Sequence, residues 1–354
     1  MRDMPDTPDG GDYRAFLEAK IKLAPSYGFE VDPAEINPLL KPHQRDTVLW
    51  AVRGGRRAIF QSFGLGKSIQ QLEILRLILA RVGGRGLIVA PLGVRQEFMR
   101  DAAMLGIPLR FIRRIEEAAE DGIYITNYET IRDGKLDPAG FTAASLDEAA
   151  ILRGLGGRKT FREFMRLFPT VPYRFVATAC PAPNEFLELA AYAEFLGIME
   201  VGEIKTRWFK RDSEKADKLT LHSHKEAEWW LWNASWGLFL QRPSDLGHDD
   251  TGYELPPLNV VYHEVQTDIG DGGWTRDGQG RLLRDAAIGV QAAAREKRST
   301  IAARVAKVVE IVRAEPSDQI VIWCDLNDEQ RAIEAALKSE GVSYSSLYGN
   351  QDID

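Results

Sequence analysis

Five short apolar runs recur through the first half of the chain, at residues 57–61, 86–90, 122–126, 144–147 and 173–177. Each is bounded by glycine, proline or charge. None alternates apolar with polar residues, so none reads as a half-buried strand; both faces of each must be covered. Between the first two runs, Ile69, Leu72, Leu75, Leu79 and Val82 mark one face of an amphipathic helix. Continuous apolar strands separated by helices fold into a parallel sheet, because right-handed crossovers lay the helices over both of its faces. The expected core is a doubly wound α/β domain.

A length of 354 residues suits about two such domains. With 44% hydrophobic and 27% charged residues the chain has the balance of a soluble globular protein, which excludes collagen-like and wholly disordered classes. Cys180 and Cys324 are too few for a disulfide framework and fit a reducing cytoplasm. No apolar run approaches the roughly 18 residues of a membrane span. The start, Met1 to Asp6, is too acidic and polar for a signal peptide. The expected location is therefore cytoplasmic. Fifty-two acidic against 45 basic residues leave a net charge of −7, which weighs against a protein coated in nucleic acid but leaves room for a local basic groove.

The second half reads differently. Residues 186–199 look like one helix, and 205–225 hold seven Lys/Arg against three Asp/Glu. A tryptophan cluster follows at Trp229, Trp230, Trp232 and Trp236. The glycine-rich stretch around 267–285 has the composition of a flexible linker. Beyond it come a helix at 291–314, an apolar run at 319–325, a second helix at 328–340 and a short run at 344–347. The expected division is an N-terminal extension (1–37), an α/β lobe (38–184), a helical and aromatic elaboration of it (185–266), a linker (267–290) and a partial second α/β lobe (291–354). Two strands are too few to complete a core of that kind.

Chemistry concentrates at Gln61-Ser62-Phe63-Gly64-Leu65-Gly66-Lys67-Ser68. A strand runs into a glycine-containing loop, and Lys67-Ser68 opens the amphipathic helix. Backbone N–H groups in such a loop and at the helix start point at phosphate oxygens. Gly64 and Gly66 keep side chains out of the way, Lys67 meets the β/γ charge, and Ser68 offers a hydroxyl to Mg2+. The first glycine of the G-x-x-x-x-G-K-[ST] pattern is replaced by Gln61. An ordinary strand–helix turn with a capping serine is the plain alternative; the strand before and the helix after favour phosphate.

A nucleotide loop needs an acid for the metal and a group to activate water. Leu146-Asp147-Glu148-Ala149 ends the fourth apolar run. Asp147 at the carboxyl edge of a strand would hold Mg2+ through water, and Glu148 would polarise the attacking water. Taken alone, an Asp-Glu pair after a strand is a solvated turn. Its order behind the phosphate loop, within one sheet, turns the reading towards function.

In chain order, Gly64-Leu65-Gly66-Lys67-Ser68, Asp147-Glu148-Ala149-Ala150 and the segment from Ala177 to Asn184 resemble motifs I, II and III of superfamily-two helicases. The Swi/Snf-type DNA-dependent ATPases are the most similar branch, particularly the short forms of phages and mobile elements. Leu40-Lys41-Pro42-His43-Gln44 resembles the glutamine motif that recognises adenine there, which implies that role for Gln44. Ala90-Pro91-Leu92 and Ile125-Thr126-Asn127-Tyr128-Glu129 look like motifs that touch the nucleic-acid backbone. By position, Pro91, Arg95, Asn127 and Tyr128 are then nucleic-acid contacts, though they also suit ordinary surface polarity. Thr178 and Cys180 fall in the segment that couples the ATP and DNA sites; Cys180 stands where a threonine is common, and Ala150 where motif II often ends in histidine.

The resemblance implies two RecA-like lobes that close on ATP, the second supplying arginine fingers. Here 321–325 and 347–350 look like its first strand and a later motif, so the second lobe is expected to be incomplete. The expectation is an ATP- and Mg2+-dependent helicase or translocase acting on duplex DNA. The alternative is a truncated ATP- and DNA-binding remnant that hydrolyses weakly or not at all and needs a protein partner. A P-loop kinase would leave 173–184 unexplained. The basic 205–225 stretch fits a solvated face better than a phosphate track. Trp229, Trp232 and Trp236, near helical spacing, fit core packing better than base stacking. His222 and His224 have no nearby ligand partner that would make a metal site.

Overall fold

All five non-alternating runs become parallel strands of one sheet. The computed structural model describes residues 23–153, 159–211, 219–265 and 297–347. The chain divides into two compact units, Met1–Leu255 and Pro256–Asp354. In the first, the strands are β1 (Arg56–Gln61), β2 (Arg85–Ala90), β3 (Leu109–Phe111), β4 (Gly122–Asn127), β5 (Ala143–Asp147), β6 (Tyr173–Thr178), β7 (Phe209–Arg211), β8 (Leu219–Leu221) and β9 (Gly237–Leu240). The helices are α1 (Pro42–Gly54), α2 (Lys67–Val82), α3 (Arg95–Leu105), α4 (Tyr128–Arg132), α5 (Lys159–Leu167), α6 (Leu189–Leu196), α7 (Val201–Trp208) and α8 (Glu226–Ala234).

The central sheet has seven strands in the order β3-β4-β2-β5-β6-β1-β9, every pair parallel. Successive side chains point to opposite faces. Ala58, Phe60, Leu87, Val89, Leu146 and Val176 enter a core shared with α4, α5, α6 and α8. Ile59, Ile88, Ala90, Ile125, Phe175 and Ala177 enter a second core with α1, α2 and α3. Each such side chain contributes about 1.5–3 kcal/mol by leaving water. Helices on both faces of a parallel sheet make this a RecA-like, doubly wound α/β lobe. The register sets three strand ends side by side: Asp147 pairs with Ala177, and Phe60 with Thr178.

Two strands of the central sheet were not expected. The three-residue β3 lies at one edge, half-exposed. At the other edge β9 follows the tryptophan cluster, so this segment is not purely a helical elaboration. Gly237 opens β9 because a Cβ there would lie 3.0 Å from the Phe60 ring. Trp208, Trp229, Trp232 and Trp236 are fully buried, with Trp208 and Trp232 ring centroids 4.6 Å apart. The cluster is core, not a stacking platform. The helix expected over 186–199 is a 3-10 turn, Phe186–Glu188, and then α6, which ends at Gly197. Part of the basic stretch forms the antiparallel β7–β8 pair, and 212–218 lie outside the described residues.

In the second unit, α9 (Ile301–Ala314) packs on α10 (Asn327–Ser339) through Val305, Ile333 and Leu337, and Arg304 pairs with Glu329 at 2.6 Å. The strands expected at 319–325 and 344–347 are not formed among the described residues. Alternation survives at the first: Ile322 and Cys324 pack against the helices, while Val321 and Trp323 are 76% and 92% exposed. An extended segment with no neighbouring strand to share its N–H and C=O groups makes no ladder. The expected linker (267–290), the start of the helix expected from 291 and residues 348–350 lie outside the described residues. No described helix is long and apolar enough to cross a membrane.

Candidate nucleotide-binding site

The phosphate-loop sequence lies where β1 hands over to α2, at the carboxyl edge of the sheet, where open α/β sheets bind their ligands. Gly66 has φ +78°, and a Cβ there would meet Gln44 Nε2 at 2.4 Å, so both backbone and space demand glycine. Gly64, at φ +83°, makes the other left-handed turn.

The loop is held by side chains that the motif does not contain. Gln61, in place of the usual glycine, is fully buried; its Nε2 donates to Thr47 Oγ1 at 3.1 Å, and Gln70 Nε2 donates to its Oε1 at 2.9 Å. The Leu65 carbonyl accepts from Gln70 Nε2 at 2.9 Å and Gln44 Nε2 at 3.1 Å. His43 Nε2 lies 3.3 Å from the same oxygen and must be the donor, since a carbonyl only accepts. Burial pushes the His43 imidazole below its usual range and so keeps it neutral. The Lys41 N–H donates to Gln44 Oε1 at 2.9 Å. These bonds join α1 to the loop and hold its conformation.

Lys67 Nζ donates to the carbonyls of Gln61 and Ser62 at 3.0 and 3.1 Å. It also lies 5.3 Å from the ring centroid of Phe63, which is 79% exposed at the loop tip. Burial lowers the Lys67 ammonium from its ordinary value, and the charges of Asp147 and Glu148 oppose that most strongly. The two acids therefore act on Lys67 from the end of β5. Ser68 Oγ donates to Asp101 Oδ2 at 2.5 Å.

Asp147 is held by a side-chain relay. Gln71 Nε2 donates to Asp147 Oδ1 at 2.8 Å, and Ser145 Oγ donates to Gln71 Oε1 at 2.7 Å. Burial pushes the Asp147 carboxyl up to about 6, with Glu148 adding to the rise and Gln71 and Lys67 opposing it. No ion pair satisfies Asp147 among the described residues. Glu148 has φ +47°, the one positive φ outside glycine among the described residues. Such backbone costs of order 1–3 kcal/mol and clusters at functional sites. Thr178 Oγ1 donates to Glu148 Oε1 at 3.2 Å and accepts from the Cys180 N–H at 3.3 Å, so Thr178 and Cys180 are joined to the acidic pair.

The expected nucleic-acid contacts separate. Arg95 stacks over Phe111, 4.4 Å from its centroid, and Arg113 approaches the same ring at 5.5 Å. Pro91 is half-buried and precedes the turn into α3. Asn127 caps α4: its Oδ1 accepts from the Thr130 N–H at 2.9 Å. Tyr128 overturns the expectation. It is 2% exposed, stacks on Phe164 at 5.4 Å, and donates its hydroxyl to the Asp147 carbonyl at 2.6 Å. Burial drives its phenol far above the usual range. A side chain so enclosed braces the acidic strand end and cannot reach DNA. Among the described residues no cluster of three metal-ligating side chains occurs, and His222 and His224 face each other at 5.2 Å.

Gln71, Gln70, Thr47 and Asp101 were missed, and Gln61 was noted only as a departure from the loop pattern. The available signal was polarity inside apolar helices: Gln70 and Gln71 interrupt the buried face of α2, and Asp101 that of α3.

No family model matches the chain, and no curated protein matches its sequence. Solved structures do. A Sulfolobus solfataricus SWI2/SNF2 ATPase core in complex with dsDNA is 18% identical with TM-score 0.44, over 51% of this chain and 41% of that one. The UvsW helicase from bacteriophage T4 is 16% identical with TM-score 0.35, over 55% and 67%. The Pyrococcus furiosus Hef helicase domain is 17% identical with TM-score 0.37, over 46% and 36%. The chain thus spans about two fifths of the Sulfolobus core.

Proposed function

We propose that the first unit binds ATP and hydrolyses it with Mg2+ in response to duplex DNA, as a Swi/Snf-type helicase-like motor lobe does. One observation carries the reading: Lys67, Asp147, Glu148 and Thr178 converge at the carboxyl ends of three adjoining parallel strands, beside a glycine loop braced by side chains of α1 and α2. Backbone N–H groups from Gly64 to Ser68 cradle the phosphates, and Lys67 leaves the loop carbonyls to meet the β/γ charge. Gln44 has one amide hydrogen and one lone pair beyond its loop bonds, and these read adenine.

The donor set fits a hard dication. Ser68 and Asp147 offer oxygen ligands, as Mg2+ requires, and a half-buried carboxylate with no ion pair among the described residues is a group such an ion satisfies. When bound, the ion would neutralise charge on the phosphate oxygens. Glu148, exposed and held by Thr178, orients and deprotonates the attacking water. Thr178 and the Cys180 backbone couple that end of the sheet to DNA. Arg95, Pro91 and Asn127, at the carboxyl ends of β2 and β4, contact the phosphate backbone, with Arg113 beside them. Movement along DNA would follow from repeated turnover.

Phosphate release from Mg2+–ATP, measured with and without a short duplex, tests the reading. DNA should accelerate release, and Glu148→Gln should remove turnover while leaving nucleotide binding in place. Release that ignores both DNA and the Gln substitution overturns it.

A further inference from the structure

The buried face of α3 is formed by Phe98, Asp101, Ala102 and Leu105. That is the i, i+3, i+4, i+7 stripe of a helix turned to a core, and three of its four positions are apolar as they should be. Asp101 is the exception. It is 9% exposed, and a carboxylate in that position is costly unless something specific holds it. Its close partner is Ser68, whose hydroxyl donates to it at 2.5 Å, the short range of charge-assisted O–H···O⁻ bonds. Among the described residues its one ion-pair contact is with Arg100, whose Nε lies 3.8 Å away on a side chain 76% exposed, an arrangement worth little.

The direction of this bond has a chemical consequence. A serine hydroxyl has one proton. With that proton committed to Asp101, Ser68 Oγ presents only lone pairs to the loop. An acceptor-only oxygen repels a phosphate oxygen and suits a cation. Asp147, the acid expected to sit beside the loop serine, instead has an oxygen engaged by Gln71. The site therefore draws on carboxylates from two elements, α3 and β5. Asp147 and Glu148 act on Lys67 from one side, and Asp101 holds Ser68 from the other.

We propose that Asp101 is a positioning residue for the divalent cation. Its carboxylate accepts the Ser68 hydroxyl hydrogen bond and so orients the Oγ lone pairs as a metal ligand. The inference rests on the nucleotide-binding reading above. It goes beyond that reading by making the metal-dependent part of nucleotide affinity depend on a helix outside the three motifs.

The test uses the whole chain and fluorescently labelled ADP, titrated once with Mg2+ and once with EDTA. The readout is the ratio of the two dissociation constants. In the wild type Mg2+ should tighten binding. Asp101→Asn keeps the shape but drops the charge; it should reduce the Mg2+ gain about tenfold or more while leaving affinity in EDTA unchanged, as losing a partner behind a metal ligand does. In a Ser68→Ala background, where the ligand oxygen is absent, Asp101→Asn should leave the ratio unchanged. A wild-type ratio in Asp101→Asn overturns the proposal. So does an equal loss in both buffers, which marks a merely structural tie between α2 and α3. A wild type that binds labelled ADP in neither buffer removes the nucleotide reading itself, and this proposal with it.

Discussion

Gln71 Nε2 donates to Asp147 Oδ1 across 2.8 Å, and the other end of the same amide accepts from Ser145 at 2.7 Å. One buried side chain of α2 thus ties the phosphate-loop helix to the acidic end of β5. Replacing Gln71 by Leu strands the fully buried Ser145 hydroxyl and leaves Asp147 with less to stabilise its charge. The expected cost is about 1–3 kcal/mol, read from the midpoint of chemical denaturation. An unchanged midpoint would show that the relay contributes nothing to stability.

Asp147 also sets a pH dependence. Its folded carboxyl titrates at about 6 against an ordinary 3.8. The folded state therefore binds this proton more tightly, and stability is full below the ordinary value and declines as pH rises through about 6. Asp147→Asn removes the buried charge and keeps an acceptor for Gln71. The nucleotide-free variant should be about 1–3 kcal/mol more stable than wild type near pH 7.5 and no more stable near pH 4. Melting curves of the two proteins across that range check it; a difference independent of pH contradicts it.

Arg95 and Tyr128 should part company in DNA binding. Arg95→Ala is expected to weaken duplex binding and to lower the salt slope by about one, as the loss of a phosphate contact does. Tyr128→Phe removes a hydrogen bond to the Asp147 carbonyl, so it should cost about 1 kcal/mol of stability and leave DNA affinity in place. Fluorescence anisotropy at several salt concentrations separates the two.

The tryptophan core offers a test of the edge strand. Trp232 packs between Trp208 and Trp236, and Trp236 in turn approaches Phe60 of β1 at 6.0 Å. Trp232→Ala should destabilise the unit by about 3–5 kcal/mol. Its indole N–H has no acceptor among the described residues, so Trp232→Phe should cost clearly less. Thermal denaturation of the two variants decides the order.

The sheet was legible where its strands are buried on both faces. Residues 57–61 and 86–90 could be read because short, bounded apolar runs alternating with helical patterns suit covered parallel strands. The edge strands were not. Leu109-Arg110-Phe111 is too short and too mixed to stand out, and β9 hides behind a tryptophan cluster whose helical spacing dominates the local pattern. At the site, Gly66, Lys67 and Asp147 were visible because motif and local context agree. Asp101 and Gln71 were not, because their partners lie 33 and 76 residues away and only the folded sheet brings them together. Tyr128 was misplaced for the converse reason: its neighbours in sequence face solvent, while its own ring turns into the core. Val321 and Trp323 show the limit of strand patterning, since alternation persists there without a strand.

The central claim is that the 61–68 loop binds the phosphates of ATP through Lys67. Calorimetric titration of Mg2+–ATP into the wild type and into Lys67→Ala tests it most directly. The account predicts saturable binding by the wild type and its loss in the variant, with the fold intact by circular dichroism. Equal affinity in the two proteins would contradict it.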